Sequence, residues 1–305
     1  MAERPENDSV PIETRRGRAF QRLVGLLGRL PLRLAHAIGA VIGWLANLLP
    51  GRLRRIARSN VAMCFPELDA PGQRRLVRQT LIETGRGLAE LGWFWTRPTA
   101  EVLGLIRNVH GLDALEACER SGGGFILAAP HLGAWELLCL FAASRHPCTV
   151  LYREPRDPGI EAVINAGRGR LDTELVRAGG SGVRRLYRAL GEGRLIGILP
   201  DQQPKRGNGV FVPFFGRPAL TMVLLSRLAA RADGGVVVAW AERLPRSQGF
   251  DLHFERPPEI VAGRDVEASA AALNATIERL VRSRPEQYQW GYKRFSIQPD
   301  GHSPY

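Results

Sequence analysis

The stretch Gly122-Gly123-Gly124-Phe125-Ile126-Leu127-Ala128-Ala129-Pro130-His131-Leu132-Gly133-Ala134-Trp135-Glu136-Leu137-Leu138 decides how this 305-residue chain folds. Phe125 to Ala129 is a short apolar run behind a glycine cluster, the pattern of a buried parallel strand. From Leu137 the apolar residues resume at a spacing suited to a helix. His131 falls between the two, just past a strand's carboxyl end, where open α/β sheets place their ligands. Glu136 follows five residues later. That spacing puts the histidine on the entering turn and the carboxylate on the first helical turn, so the acid is expected to fold back on the imidazole. An imidazole with one nitrogen held by a carboxylate offers the other as a general base toward a hydroxyl. A helix N-terminus beside it disfavours imidazolium and presents N–H groups to a developing oxyanion.

Outward from this stretch the chain alternates between helix and strand patterns. A helix over Leu112 to Arg120 precedes it. A helix over Ala134 to Ser144, a strand over Thr149 to Tyr152, and helices over Gly159 to Arg170 and Val183 to Leu190 follow. Next come a strand over Leu195 to Leu199, a helix over Leu220 to Ala232, strands over Val236 to Ala241 and Asp251 to Glu255, and a closing helix from Val266 to Arg284. The alternation predicts an α/β fold, a mixed, mostly parallel sheet covered by helices on both faces.

Before residue 101 the pattern is helical throughout. Residues 1–14 are polar and aperiodic, read as a disordered lead. Residues 15–100 read as a membrane-associating helical extension, and 101–305 as the α/β domain. Leu34 to Leu49 is apolar except for His36 and Asn47 but falls short of the ~20 residues of a spanning helix. Arg18, Arg22, Arg29 and Arg33 precede it and Arg52, Arg54, Arg55 and Arg58 follow, a flanking pattern that binds anionic leaflets. No signal peptide is expected, because no basic start runs into an apolar core.

The formal charge of +12 predicts an anionic partner, and only two of the 42 basic residues are lysines. Arginine's planar fork suits phosphate and carboxylate. Without a zinc finger or RNA-recognition signature, nucleic acid ranks behind an anionic membrane and an acidic carrier protein. Cys64, Cys118, Cys139 and Cys148 form no C-x-x-C pair and read as reduced core residues. The histidines show no ligand spacing, so no metal is expected. Gly179-Gly180-Ser181-Gly182-Val183 fails the nucleophile-elbow pattern at its last position.

Further segments bear on the chemistry. Tyr152-Arg153 leaves a strand, and Arg168-Gly169-Arg170 closes the helix after it, so these arginines are placed to grip a phosphate. Asp201-Gln202-Gln203-Pro204-Lys205-Arg206 puts a carboxylate, two amides and two cations on a loop at the same sheet edge. Val210 to Pro218 is an aromatic run in which Phe211, Phe214 and Phe215 read as the wall of an acyl-chain groove, with core packing as the alternative. Arg282 to Phe295 interleaves aromatics with cations and suggests a structural clamp.

Together these residues resemble the late acyltransferases of lipid A biosynthesis, within the glycerolipid acyltransferase superfamily. The likeness runs from Leu30-Pro31 through Asn60, Cys64-Phe65-Pro66, the His131 to Glu136 box, Tyr152-Arg153, Arg168-Gly169-Arg170, Asp201-Gln202 and Phe211 to Gly216, ending at Pro285 to Arg294. It implies that His131 is the general base with Glu136 its partner, that Arg168 and Asp201 belong to the active site with Gln202 beside them, and that Arg153 and Arg170 face an anionic lipid acceptor. It further implies an acyl carrier protein thioester as donor, no cofactor, and a place on the cytoplasmic face of the inner membrane. The rival readings are an acyltransferase for a lysophospholipid, aminolipid or glycolipid, and a non-catalytic membrane-binding protein on the same fold.

Overall fold

The computed structural model describes residues 14–305, so the expectation for the leading segment lies, except for Thr14, outside the described residues. Four helices come first, α1 (Arg15–Arg29), α2 (Leu32–Leu48), α3 (Arg52–Cys64) and α4 (Ala70–Thr96). The short α5 (Thr99–Leu103), β1 (Ile106–His110), α6 (Leu112–Glu119), β2 (Phe125–Ala128), α7 (Trp135–Arg145) and β3 (Cys148–Tyr152) follow. Next are α8 (Pro158–Arg168), β4 (Thr173–Arg177), α9 (Gly180–Gly191), β5 (Leu195–Ile198), β6 (Gly209–Phe214), β7 (Arg217–Met222) and α10 (Leu224–Ala229). The chain ends through β8 (Val236–Arg243), β9 (Phe250–Glu255) and α11 (Val266–Ser283).

Seven strands form one sheet in the order β1-β9-β8-β2-β5-β3-β4. Every pairing in it is parallel except β8 with β9, so the sheet is mixed and mostly parallel. Its central strands are apolar on both sides, as burial under two helical layers requires: β2, β5 and β8 are buried at every position. The two cores lie on opposite faces. Ile126, Ala128, Ile196 and Ile198 point into one, Phe125, Leu127 and Leu195 into the other.

The first four helices have no core of their own. Val61, Leu76 and Leu81 join one sheet face, Leu32 and Phe94 the other. Helices α2 and α4 cross closely at Gly39 and Gly85, where a Cβ on Gly39 would sit 2.4 Å from the Gly85 carbonyl oxygen. Among the described residues no single helix is long and apolar enough to cross a membrane, although α2 and α3, bent by 80°, pass that test as a pair.

Two departures from the sequence reading have physical causes. Leu220 to Ala232 is not one helix: its first residues belong to β7, which pairs with β6 in an antiparallel hairpin turned by Phe215 and Gly216, both at positive φ. Strands β1 and β4 were not expected. They are the two edges of the sheet, where charged residues such as Arg107 and Glu174 blunt the strand pattern as edges demand.

Candidate active site

Strands β2 and β5 are parallel neighbours with Ala128 opposite Ile198. Three residues beyond each of these lie His131 and Asp201, so the register alone brings them together at the carboxyl ends of the two central strands. The Asp201 carboxylate accepts from the His131 backbone N–H at 2.9 Å and from the ring Nδ1 at 2.8 Å. Gln202 Nε2 lies 3.2 Å from the ring Nε2 and donates to Gln289 Oε1 at 3.0 Å. An acid on Nδ1 and an amide N–H on Nε2 specify the tautomer protonated at Nδ1, with the Nε2 lone pair turned to the Gln202 amide. Asp201 is 2% exposed. Burial pushes its carboxyl up, but the imidazole and the His131 N–H outweigh that and hold it below its ordinary value.

Glu136 does something else. The expected fold-back onto His131 is not made. The carboxylate lies under Arg168, whose Nε donates to both its oxygens at 3.0 and 3.1 Å and whose terminal nitrogen adds a further bond, and it accepts from the Trp95 indole at 3.2 Å. Burial raises its pKa, yet the Arg168 charge and these hydrogen bonds win and leave it below the ordinary carboxylate range. The reason is the turn. Gly133 adopts φ 65°, its N–H donates to the Gln287 carbonyl, and the Ala134 N–H donates to the Ala241 carbonyl. A Cβ on Gly133 would sit 1.9 Å from that Ala241 oxygen, so only glycine fits. This pins the start of α7 over β8 and sends residue 136 toward α4 and α8.

Both residues open on one cavity of about 820 Å³. Its walls are mainly apolar and reach both faces of the sheet: Val150 and Leu175, paired across β3 and β4, line one side, and Leu151, Val183 and Leu224 the other. Arg153, Arg168, Lys205 and Arg227 supply cations, with Glu136 the acid among the lining residues. Cys139 also reaches it, but burial raises its thiol to about 12, so it is not a thiolate nucleophile near neutrality.

Of the residues singled out in the sequence, His131, Glu136, Arg153, Arg168 and Gln202 therefore line the cavity, with Asp201 directly behind the histidine. Four do not. Arg170 donates to the Phe94 and Arg97 carbonyls and to Thr99 Oγ1, tying down the end of α4. Phe214 and Phe215 are core residues packed on each other and, through Phe215, on Phe65 and Trp290; Phe211 lies on the same hairpin outside the cavity. The groove wall is built instead from β3, β4, α9 and the start of α10.

The clamp near the C-terminus is closer to the chemistry than its composition indicated. The Gln289 N–H donates to the His131 carbonyl at 3.1 Å, the Tyr292 hydroxyl accepts from the Gln203 N–H at 3.0 Å, and Asn60 on α3 donates to the Trp290 and Tyr292 carbonyls. Burial and the neighbouring Asp201 raise the Tyr288 phenol well above its ordinary pKa, so it stays neutral.

An imidazole oriented by a buried acid, opening on an apolar cavity with a cationic rim, is an arrangement suited to group transfer on a fatty, anionic substrate. Comparison with known proteins gives the family. Residues 19–296 match the model of the bacterial lipid A biosynthesis acyltransferases. The chain is 27% identical over 278 residues to the lipid A biosynthesis lauroyltransferase of Escherichia coli K12, covering 90% of each chain. It is 28% identical over 279 residues to the palmitoleoyltransferase of the same organism (90% of this chain, 89% of that one) and 24% over 272 residues to its myristoyltransferase (89% and 84%). The chain belongs to the bacterial lipid A biosynthesis acyltransferase family and is an acyltransferase.

Proposed function

We propose that the protein moves a fatty acyl group from the thioester of an acyl carrier protein to a hydroxyl of a lipid A precursor, at the cytoplasmic face of the inner membrane. The observation that carries this is the His131 imidazole, fixed through Nδ1 by Asp201 and presenting Nε2 to the cavity. Nε2 takes the proton of the acceptor hydroxyl as its oxygen attacks the thioester carbonyl. The tetrahedral adduct then expels the carrier's thiolate, which leaves with that proton, so one ester and one thiol replace one thioester and one hydroxyl. The donor arrives activated, and the scheme needs no cofactor.

Glu136 and Arg168 neutralise each other at the cavity wall and hold α7 against α8 and α4. The first N–H groups of α7, at Trp135 and Glu136, have no acceptor among the described residues and serve the developing oxyanion. Arg153, Lys205 and Arg227 receive the acceptor's anionic head group, Arg by its fork and Lys as a point charge. Apolar walls on both sheet faces accommodate the donor chain and the acceptor's own acyl chains separately. Exposed Leu23, Leu26, Leu34, Val41, Trp44 and Leu48 on α1 and α2 supply the surface that meets the membrane.

The test is transfer of label from radiolabelled acyl carrier protein, offered a lipid A precursor beside a lysophospholipid, with mass spectrometry of lipid A from cells with and without the gene. Labelled lipid A precursor and a missing secondary acyl chain support the reading. Label on the lysophospholipid alone overturns the acceptor assignment.

A further inference from the structure

A second cavity, of about 390 Å³, is lined by Asn47 at the end of α2, Arg54 and Arg58 on α3, and Arg74, Arg75 and Arg78 on α4. None of its lining residues also lines the His131 cavity. We propose that it binds the phosphate of an anionic lipid head group at the membrane surface; this rests on the membrane-surface reading above and gives it a specific site.

Three observations converge on an oxyanion. The five arginines make no ion pair or side-chain hydrogen bond among the described residues, although they share one hollow, and Arg54 Nε is buried with no acceptor. A guanidinium N–H withdrawn from water without a partner is costly, and five forks around one hollow repel one another until an anion arrives. Arg54 also stands at the wrong end of its helix. Arg54 sits in the first turn of α3, which has neither an acid there nor a side-chain cap, whereas α4, carrying Arg74 and Arg75 in its second turn, is capped by the Asp69 carboxylate through the Gly72 N–H. The N-terminal partial positive charge of α3 disfavours Arg54 and favours a phosphate beside it.

A lipid is indicated by what borders the hollow. Asn47 is flanked by Trp44, Leu45, Leu48 and Leu49, all exposed, with Leu49 at 63% and Leu53 across the bend at 39%. Apolar side chains of this size lower into acyl chains while the adjoining arginines remain at head-group depth. An acidic protein surface or free phosphate would have no use for that border.

The experiment uses the full chain and vesicles of phosphatidylcholine with or without phosphatidylglycerol, read by co-sedimentation. The triple variant Arg54→Gln, Arg58→Gln, Arg78→Gln is expected to lose on the order of 100-fold in partitioning onto the anionic vesicles, about fivefold per charge. The charge-matched control Arg188→Gln, Arg256→Gln, Arg264→Gln, on exposed residues outside both cavities, is expected to stay near wild type. The triple variant Arg54→Lys, Arg58→Lys, Arg78→Lys keeps the net charge but removes the forks, and binding should remain weakened. If both glutamine triples fall equally, or the lysine triple binds like wild type, a diffuse field replaces the site and the proposal fails. It fails equally if the 54/58/78 variants keep vesicle binding but lose capture of acyl carrier protein, or lose only a thermal shift produced by inorganic phosphate. A wild-type chain that ignores anionic vesicles overturns the membrane-surface reading as well.

Discussion

Among the described residues two histidines sit against acids that are 2% exposed or less, and the two pairs do different things. His131 meets Asp201 at the sheet edge, with Nδ1 bound and Nε2 on the cavity. His36, on α2, meets Glu90 on α4 through Nε2 at 2.6 Å, and its Nδ1 is taken by the Ser247 hydroxyl at 2.8 Å. Glu90 is further bound by two nitrogens of Arg243, which also reaches Glu83 at 2.9 Å, and every member of the His36–Glu90–Arg243 group is 5% exposed or less. The chemistry of the pairs is alike. What separates the proposed base from the brace is exposure to the cavity: His131 Nε2 meets the Gln202 amide at 3.2 Å on the cavity wall, whereas both nitrogens of His36 are taken inside the protein. The second cluster spends all its polar capacity on fastening the amino-terminal helices to β8, the use to which fully satisfied buried networks are suited.

The sharpest way to break this contrast is to delete each imidazole in turn. His131→Ala should lower the transfer rate about 10²- to 10⁴-fold, the range for loss of a general base, and also lower the urea midpoint, because buried Asp201 keeps only the backbone N–H of residue 131. His36→Ala should keep the rate within a few-fold and cost about 3 kcal/mol of stability, because the buried cluster is left short of one partner. Urea unfolding and single-turnover transfer on the two variants read both halves.

Glu136→Gln sharpens the distinction between the two acids of the site. It leaves Arg168 beside the cavity without its counter-charge, and a loss of about 3 kcal/mol in urea unfolding is expected. The rate should fall only about tenfold, through movement of α7 and with the imidazole tautomer intact.

A smaller effect is expected from pH. Glu136, Glu90 and Asp201 are all held below their ordinary values of 4.5, 4.5 and 3.8. The unfolded chain therefore binds protons that the native chain does not. The stabilisation is complete above those ordinary values and is lost as pH falls from about 4.5 through the depressed native values. Urea midpoints should drop over that acid range, and the Glu136→Gln slope there should be shallower.

The smallest change concerns the aromatic run. Phe214→Leu should cost about 1 kcal/mol as a near-volume-conserving core swap and leave the acyl chain length unaltered. Val183→Trp, on the cavity wall, should shift transfer toward shorter chains, measured by mass spectrometry of the acylated product.

The parts of the molecule legible in the sequence are those where local pattern and tertiary role agree. Strands β2, β3, β5 and β8 are continuous apolar runs because helices cover both their faces, and α11 shows its buried stripe plainly. His131 was legible because it stands between a strand and a helix. Its true partner was harder to see, since Asp201 lies 70 residues away and reaches it only through the parallel register of β2 with β5. That register carries a usable signal: each residue lies at the same offset past its strand. Glu136 misled by proximity in sequence, and nothing local announces the Gly133 turn that redirects it. Phe214 and Phe215 misled by composition, because a run of aromatics looks the same whether a fatty chain or Trp290 lies against it.

The account rests on Asp201, rather than Glu136, orienting the imidazole that takes the acceptor's proton. The most direct test is the single-turnover acyl transfer rate of Asp201→Asn, measured on protein shown to be folded. An asparagine keeps the shape but no longer favours the Nδ1-protonated tautomer, and a fall on the order of 10³- to 10⁴-fold is predicted, as for a triad acid changed to its amide. A rate within a few-fold of wild type would contradict it.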